Sequence, residues 1–234
     1  MQIWDRLESI IGKKINCRSV QPVISFTFDD APLSAFTNGG NILEQYGFRG
    51  TYYVSAGLFQ EMTAVGRLAD LNTISAFCER GHEIGNHTYE HLNCRKAGLL
   101  SIVRSIHRNR EVLAGIMSSS FAYPYGDADA KTRIAVGLCT SSARGISFGI
   151  NRNVIDLLNL KAVRAYEREG TDTCMSMVNE CAEQGGWLIF YTHDVCDNPS
   201  DFGCTPEQLI RIVRAVSDNN LTVMTIGKAL KSIE

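Results

Sequence analysis

Short apolar runs that end in acidic or histidine residues are the feature that most restricts the fold of this chain. Val23 to Phe28 is apolar, rich in β-branched and aromatic residues, and directly followed by Asp29 and Asp30. Such a run predicts a buried strand that ends at a polar edge. A later run, WLIFYT, has the same form and ends in His193. In a parallel sheet the two ends would lie at the same edge.

Strand signals alternate with helical stretches along the chain. The clearest helical stretch is 95–116, where apolar residues recur at helical spacing. Repeated β-α units predict a parallel barrel or a doubly wound sheet. With 234 residues, 44% of them hydrophobic, we expect a single domain over 1–234, and the first twenty residues are interpreted as an added N-terminal helix. The predicted strands are 23–28, 50–54, 83–86, 120–123, 138–142, 161–165, 187–192 and 221–224.

The sequence GHEIGNHTYEH places His87 and His91 four residues apart. This spacing puts both imidazoles on one side of a helical turn, and a tight loop also meets it. A carboxylate would complete a His-His-Asp metal site with open positions for water and substrate, which is typical of catalytic metal sites. Two surface or capping histidines are the alternative interpretation.

The acidic pair at the end of the first run fits the same site. The active sites of parallel α/β folds lie at the carboxyl ends of the strands, where these acids are expected. One of Asp29 and Asp30 could therefore bind the metal while the other acts as base. An acidic turn or helix cap is the alternative. His193 is a natural general acid because imidazole exchanges protons near neutral pH, whereas a hydrogen-bonded core histidine is its alternative.

The segment FAYPYG breaks an aromatic strand at Pro124 and Gly126. Such a turn can point a backbone N–H into a site to bind an oxyanion, although most turns of this kind are only turns. Aromatic residues near these motifs stack on sugar faces or belong to the core. We take Pro124 and Tyr191 as the candidate substrate contacts.

In order, TFDD, HTYEH, AYPYG and FYTHD resemble the motifs of the polysaccharide deacetylases, the NodB homology domain of carbohydrate esterase family 4. The resemblance runs from about 23 to 225. It favours a distorted (β/α) barrel of about seven parallel strands with the site at their carboxyl ends. It implies the following roles: Asp29 as base, Asp30, His87 and His91 as metal ligands, His193 as acid, and Tyr125 as the oxyanion N–H donor.

The chain departs from the family pattern in two places. Members commonly carry an arginine two residues before the proline of the third motif, where this chain has Ala122, and the Asp-x-x-Asp-Trp segment has no counterpart between 150 and 180. We expect Arg164 to replace the missing arginine beside Asp29, because an opposite charge would hold the carboxylate ionised. An exposed arginine is the alternative.

These residues predict a metal-dependent hydrolase that removes acetyl groups, most simply N-acetyl, from a polysaccharide or sugar oligomer. Imidazole-rich ligation suits zinc, and cobalt or another first-row ion fits the same ligands. Two alternatives stay open. One is a related amidohydrolase that acts on a small cyclic or formyl amide, and the other is a carbohydrate-binding relative without turnover.

Composition restricts the partners and the compartment. The net charge is −2 and there is no basic stripe, which argues against a nucleic-acid partner. There is no apolar span of 18 residues, and charged residues interrupt the start of the chain, so we expect neither a membrane segment nor a signal peptide. The eight cysteines form no CxxC motif and are interpreted as free thiols, which favours a cytoplasmic protein.

Overall fold

A curled half-barrel of seven parallel strands forms the centre of the molecule. The computed structural model describes residues 13–17, 21–126 and 128–233. The strands of the half-barrel follow the order β10-β11-β2-β3-β6-β7-β8, and each neighbouring pair is parallel. Their ranges are β2 (Val23–Phe28), β3 (Thr51–Val54), β6 (Glu83–Asn86), β7 (Met117–Ala122), β8 (Ser142–Arg144), β10 (Val163–Arg164) and β11 (Trp187–Thr192).

The remaining strands are short and lie at the margins. β1 (Lys14–Cys17) pairs with β9 (Asn153–Asp156), β4 (Met62–Thr63) forms a hairpin with β5 (Gly66–Arg67), and β12 (Thr222–Val223) extends the sheet beside β2. Residues 14–17 are therefore strand where the sequence predicted an N-terminal helix, and residues 1–12 and 18–20 of that prediction lie outside the described residues.

Helices cover the sheet and shield its apolar strands. β2 and β11 are buried along their whole length, as expected for central strands of a parallel sheet that is covered on both faces. The helices are α1 (Asn41–Gln45), which continues the π-helical residues Ala35–Gly40, α2 (Leu71–Glu79), α3 (Leu99–Val112), α4 (Ala130–Gly137), α5 (Asp172–Gln184), α6 (Pro206–Asp218) and α7 (Ile226–Ile233).

Local sequence signals explain where several helices begin. Asp70 accepts a hydrogen bond from the Thr73 backbone N–H at the start of α2, and α6 begins with a capping box between Thr205 and Gln208. Among the helices that the structure describes, none has the length and apolar character needed to cross a membrane.

The predicted strand at 138–142 is displaced toward the carboxyl end. Asp129 caps α4, which continues to Gly137, and the chain turns before the strand begins at Ser142. The apolar Leu138 that suggested a strand is 73% exposed. This shift matters because the strand then ends at Arg144, whose side chain points toward the middle of the sheet and reaches Asp29.

Candidate active site

Strand register brings the predicted site residues to one edge of the sheet. β11 pairs with β2 from Trp187 opposite Val23 to Thr192 opposite Phe28. Asp29 and His193 are the next residue on each strand, so they leave the sheet side by side. β6 and β7 end at the same edge, where they are followed by the histidine segment and the PYG turn. The structure therefore places the four motifs together.

The two histidines lie in a loop, not on a helix. Residues 87–98 between β6 and α3 are non-helical. Buried polar groups hold this loop: Asn86 Oδ1 accepts from the Thr88 backbone N–H at 2.9 Å, and Ser105 Oγ accepts from the Tyr89 backbone N–H at 2.9 Å. Both anchors are buried, so the loop is fixed to β6 and α3.

Asp30, His87 and His91 converge on one point. Asp30 Oδ1 lies 3.3 Å from His87 Nε2 and 3.2 Å from His91 Nε2. One ligand atom from each of the three residues lies within 4.8 Å of the others. These are the three residues that the sequence predicted as metal ligands, and the structure brings them together.

The donor atoms of this cluster fit a divalent cation. His87 Nδ1 lies 2.8 Å from the Ala122 carbonyl oxygen, which only accepts hydrogen bonds, so Nδ1 carries the proton and the Nε2 lone pair faces Asp30. Asp30 Oδ1 is buried and lacks an aligned hydrogen-bond partner among the described residues. The lone pair of His87 Nε2 therefore faces the carboxylate oxygen of Asp30 without a proton between them, an arrangement that a cation would stabilise, and nitrogen and oxygen donors suit zinc or cobalt.

The cluster favours an ionised Asp30. Burial raises the pKa of this carboxyl, but the neighbouring His87 and His91 imidazoles act in the opposite direction and hold the pKa well below its usual range. A carboxylate that stays ionised is the form that binds a metal.

Backbone strain is concentrated in the same segments. Asp30, Ala31, Thr88, His91 and Tyr125 have φ values between 52° and 62°, and they are five of the eight described non-glycine residues with positive φ. This conformation is unfavourable for residues that carry a Cβ atom, and it persists where the surrounding structure enforces it. The strain indicates that side-chain direction is fixed at this edge.

Asp29 forms a buried ion pair with Arg144. Arg144 Nη2 lies 2.5 Å from Asp29 Oδ1 and also contacts Oδ2. The side chains are 1% and 8% exposed, and the guanidinium lies 4.7 Å from the centroid of the Tyr191 ring. Burial lowers the pKa of Arg144, but the charge of Asp29 raises it above its ordinary value.

The prediction that Arg164 lies beside Asp29 is therefore wrong. Arg164 Nε donates to the Tyr191 hydroxyl at 2.9 Å, and Nη1 lies 3.3 Å from Glu169 Oε1. Arg144 was missed because β8, whose sequence is SAR, has one apolar residue and gives a weak strand signal. An arginine placed after a recognised strand would have been a candidate.

His193 is held by the chain that follows it. Its Nδ1 lies 3.2 Å from the Phe202 carbonyl oxygen, which also accepts from the His193 backbone N–H. Because a carbonyl only accepts, Nδ1 carries a proton and Nε2 is left for exchange. The 195–202 segment is folded back by Asp194, which accepts from Ser200 through both its backbone N–H and its hydroxyl. A backbone carbonyl thus orients the His193 ring.

These residues surround a cavity of about 420 Å³. That volume lies within the range of small-ligand pockets. Tyr125 and Tyr191 line the cavity, whereas Pro124 is buried and is not among the lining residues. A contact between Pro124 and substrate stays a prediction. Sequence reasoning missed several lining residues: Leu58, Val65, Leu68, Ile146, Tyr166, Arg168 and Phe202.

Comparisons with known proteins agree with this geometry. The chain matches the family model of the polysaccharide deacetylases over residues 18–139. A chitin deacetylase of Arthroderma benhamiae is 28% identical, with 94% of this chain and 54% of that protein covered. A chitin deacetylase of Pestalotiopsis sp. is 22% identical, with 97% of this chain and 70% of that protein covered. The chain spans about half the length of the first relative.

Solved structures with the same fold were also found. The chitin deacetylase of Colletotrichum lindemuthianum has a TM-score of 0.64 and 18% identity, covering 92% of this chain and 90% of its own. A family 4 carbohydrate esterase of Bacillus subtilis has a TM-score of 0.65 and 16% identity, covering 100% of this chain and 91% of its own. These matches show the distorted barrel predicted from the motifs. Because the family model spans more than half of the residues, the chain belongs to the polysaccharide deacetylase family.

Proposed function

We propose that this chain is a metal-dependent deacetylase that hydrolyses acetyl groups, most simply N-acetyl groups, on a saccharide. One observation carries the proposal. The metal-type cluster of Asp30, His87 and His91 shares a cavity with the ion-paired Asp29 and with His193. Hydrolysis of an amide needs a general base, an oxyanion donor and a general acid, and the cavity offers a candidate for each.

Asp30, His87 and His91 would hold the cation, which when bound supplies a Lewis acid for the carbonyl and lowers the pKa of a coordinated water. Asp29 takes the proton of the attacking water. Arg144 orients the carboxylate of Asp29 and balances its charge in the buried site, and Tyr53 and Tyr191 flank the guanidinium at 5.5 and 4.7 Å.

The remaining steps use the opposite walls of the cavity. The Tyr125 N–H stabilises the oxyanion, and the turn that carries it has the strained φ of 62°. His193 protonates the leaving amine at Nε2, while the Phe202 carbonyl keeps the ring oriented through Nδ1. The products are acetate and a free amino sugar.

We propose zinc as the cation and a reducing compartment, such as the cytoplasm, as the location. Nitrogen-rich ligation supports zinc, and cobalt is the nearest substitute. All eight cysteines are free, which is typical of proteins from reducing compartments.

The experiment measures acetate release from N- and O-acetylated saccharides by metal-stripped protein, with and without added zinc or cobalt. We expect metal-dependent release that Asp29→Asn abolishes. The matched control is Asp201→Asn, because Asp201 is an exposed acid outside the cavity lining. Metal binding with hydrolysis of small cyclic or formyl amides, and none of acetylated sugars, would contradict the proposal.

A further inference from the structure

Arg164 and Arg168 are the unassigned charged residues of the cavity. The two acids that line the cavity already have partners: Asp29 pairs with Arg144, and Asp30 faces His87 and His91. Among the described lining residues, the charges left to face a ligand are therefore two guanidiniums.

Arg168 makes no ion pair or hydrogen bond within the described part of the chain. Its guanidinium carbon lies 5.7 Å from the centroids of both the Tyr166 and Phe202 rings. Stacking on aromatic faces leaves the edge of the guanidinium, with its five N–H donors, available to a ligand. The residue is exposed at the cavity wall, so the donors are accessible.

Arg164 is only partly engaged. Nε and Nη1 contact Tyr191 and Glu169, and Nη2 has no partner among the described residues. The contact with Glu169 joins side chains that are 45% and 37% exposed, and solvent screens such pairs strongly. Arg164 lines the cavity and Glu169 does not, so the pairing with Glu169 leaves Nη2 available to a ligand.

Aromatic rings connect both arginines to the predicted acid, with one ring between Arg168 and His193 and two between Arg164 and His193. The Tyr166 and Phe202 rings that carry Arg168 also pack against His193, with centroid distances of 6.0 and 5.5 Å. Tyr191, which binds Arg164, packs edge-on against Tyr166 at 5.5 Å. A negative group held by the arginines would thus lie on the acetylated sugar or on its direct neighbour.

We infer that Arg164 and Arg168 form an anion subsite, and that the substrate is an acetylated saccharide that carries a carboxylate or a phosphate near the acetylated position. The inference rests on the proposed deacetylase function and names its substrate class. Guanidinium groups match both oxyanions with paired N–H donors. The hydroxyl groups of a neutral sugar also accept hydrogen bonds from these donors, but those bonds are weaker because the sugar carries no charge.

The test compares three sugars that differ at one substituent. N-acetylglucosamine is neutral, N-acetylmuramic acid adds a carboxylate, and N-acetylglucosamine 1-phosphate adds a phosphate. Dissociation constants for zinc-loaded protein are measured by ligand-observed NMR titration at low salt. We expect at least one anionic sugar to bind roughly tenfold more tightly than the neutral one, the size expected of a charge-assisted hydrogen bond. The anionic sugar that binds more tightly shows whether the subsite prefers a carboxylate or a phosphate.

Arg164→Gln and Arg168→Gln, singly and together, locate the effect. We expect the double variant to lose most of the preference for the anionic sugar while its affinity for the neutral sugar changes much less. Arg211→Gln is the control, because Arg211 is an exposed arginine on α6 outside this cavity. Absence of tighter binding by either anionic sugar overturns the inference, as does an equal loss for charged and neutral sugars in the double variant.

Acetate release from the same sugars, and from oligomers that contain them, separates the two proposals. Arginine-dependent preference for the anion without metal-dependent turnover would contradict the deacetylase and support the subsite. Turnover that is equal on neutral and anionic sugars, and insensitive to the arginine variants, would support the deacetylase and overturn the subsite.

Discussion

Replacing Arg144 with leucine should destabilise the protein far more than the same change at Arg164. Arg144 and its partner Asp29 have side chains that are 1% and 8% exposed, whereas Arg164 and Glu169 are 45% and 37% exposed. Removing one member of a buried pair leaves an uncompensated charge and costs about 3–5 kcal/mol. Breaking an exposed pair costs about 0–1 kcal/mol.

The assay is urea unfolding of metal-free protein at neutral pH, followed by circular dichroism. We expect Arg144→Leu to lower the free energy of unfolding by about 3–5 kcal/mol with an unchanged denaturant dependence. Arg164→Leu should lower it by no more than about 1 kcal/mol. In activity assays with a neutral acetylated sugar, the Arg144 variant should lose turnover with metal affinity retained, because Arg144 contacts Asp29, whereas the Arg164 variant should change turnover much less.

A double variant separates charge from packing. Asp29→Asn combined with Arg144→Leu removes the stranded carboxylate charge, so it should be more stable than Arg144→Leu alone. We expect the losses in the free energy of unfolding of the two single variants to be strongly non-additive in the double variant, because the two groups are in direct contact. The reasoning is refuted if Arg164→Leu is the more damaging single change, or if the double variant shows the simple sum of both losses.

Two further predictions concern other buried polar groups. The Gly50 N–H donates to His82 Nδ1 at 3.0 Å, and burial lowers the pKa of His82 below 6.5. The neutral form of His82 should therefore contribute its full stabilisation of the folded state above pH 6.5. As the pH falls below 6.5, the free energy of unfolding should decrease by up to about 1.4 kcal/mol per pH unit. Denaturation of wild type and His82→Asn at several pH values checks this, and parallel pH dependences would contradict it. Asp194→Asn should loosen residues 195–204 at a cost of about 1–3 kcal/mol, more than Ser200→Ala, which keeps the backbone hydrogen bond to Asp194. Hydrogen exchange of that segment is the measurement, and unchanged protection in Asp194→Asn would count against it.

The half-barrel and the meeting of the motifs were predictable because they depend on local patterns. Apolar runs with polar ends identify strands such as β2 and β11, and parallel strands bring their carboxyl ends to one edge. The convergence of Asp30, His87 and His91 follows from that arrangement and from the resemblance to the family. The extent of the domain and the catalytic roles of these residues stay predictions.

Long-range pairings were not predictable because they depend on positions that no local pattern fixes. Arg144 reaches Asp29 across 115 positions of sequence, from a strand that has a weak apolar pattern. The contact between Phe202 and His193 uses a backbone carbonyl, which every residue has, so residue type gives no signal for it. Pro124 was assigned by its place in a motif, and the structure shows that this residue is buried.

The anion subsite is possible because Arg144, and not Arg164, pairs with Asp29. If Arg164 neutralised Asp29, its donors would be consumed inside the site and the cavity would present only Arg168. Because Arg144 takes that role from β8, Arg164 contacts Tyr191 and Glu169 through Nε and Nη1, and its Nη2 has no partner among the residues that the structure describes. One buried arginine therefore serves the predicted base, and two accessible ones remain for the substrate. The departure from the family's third motif and the proposed preference for an anionic sugar are linked through the same charge balance.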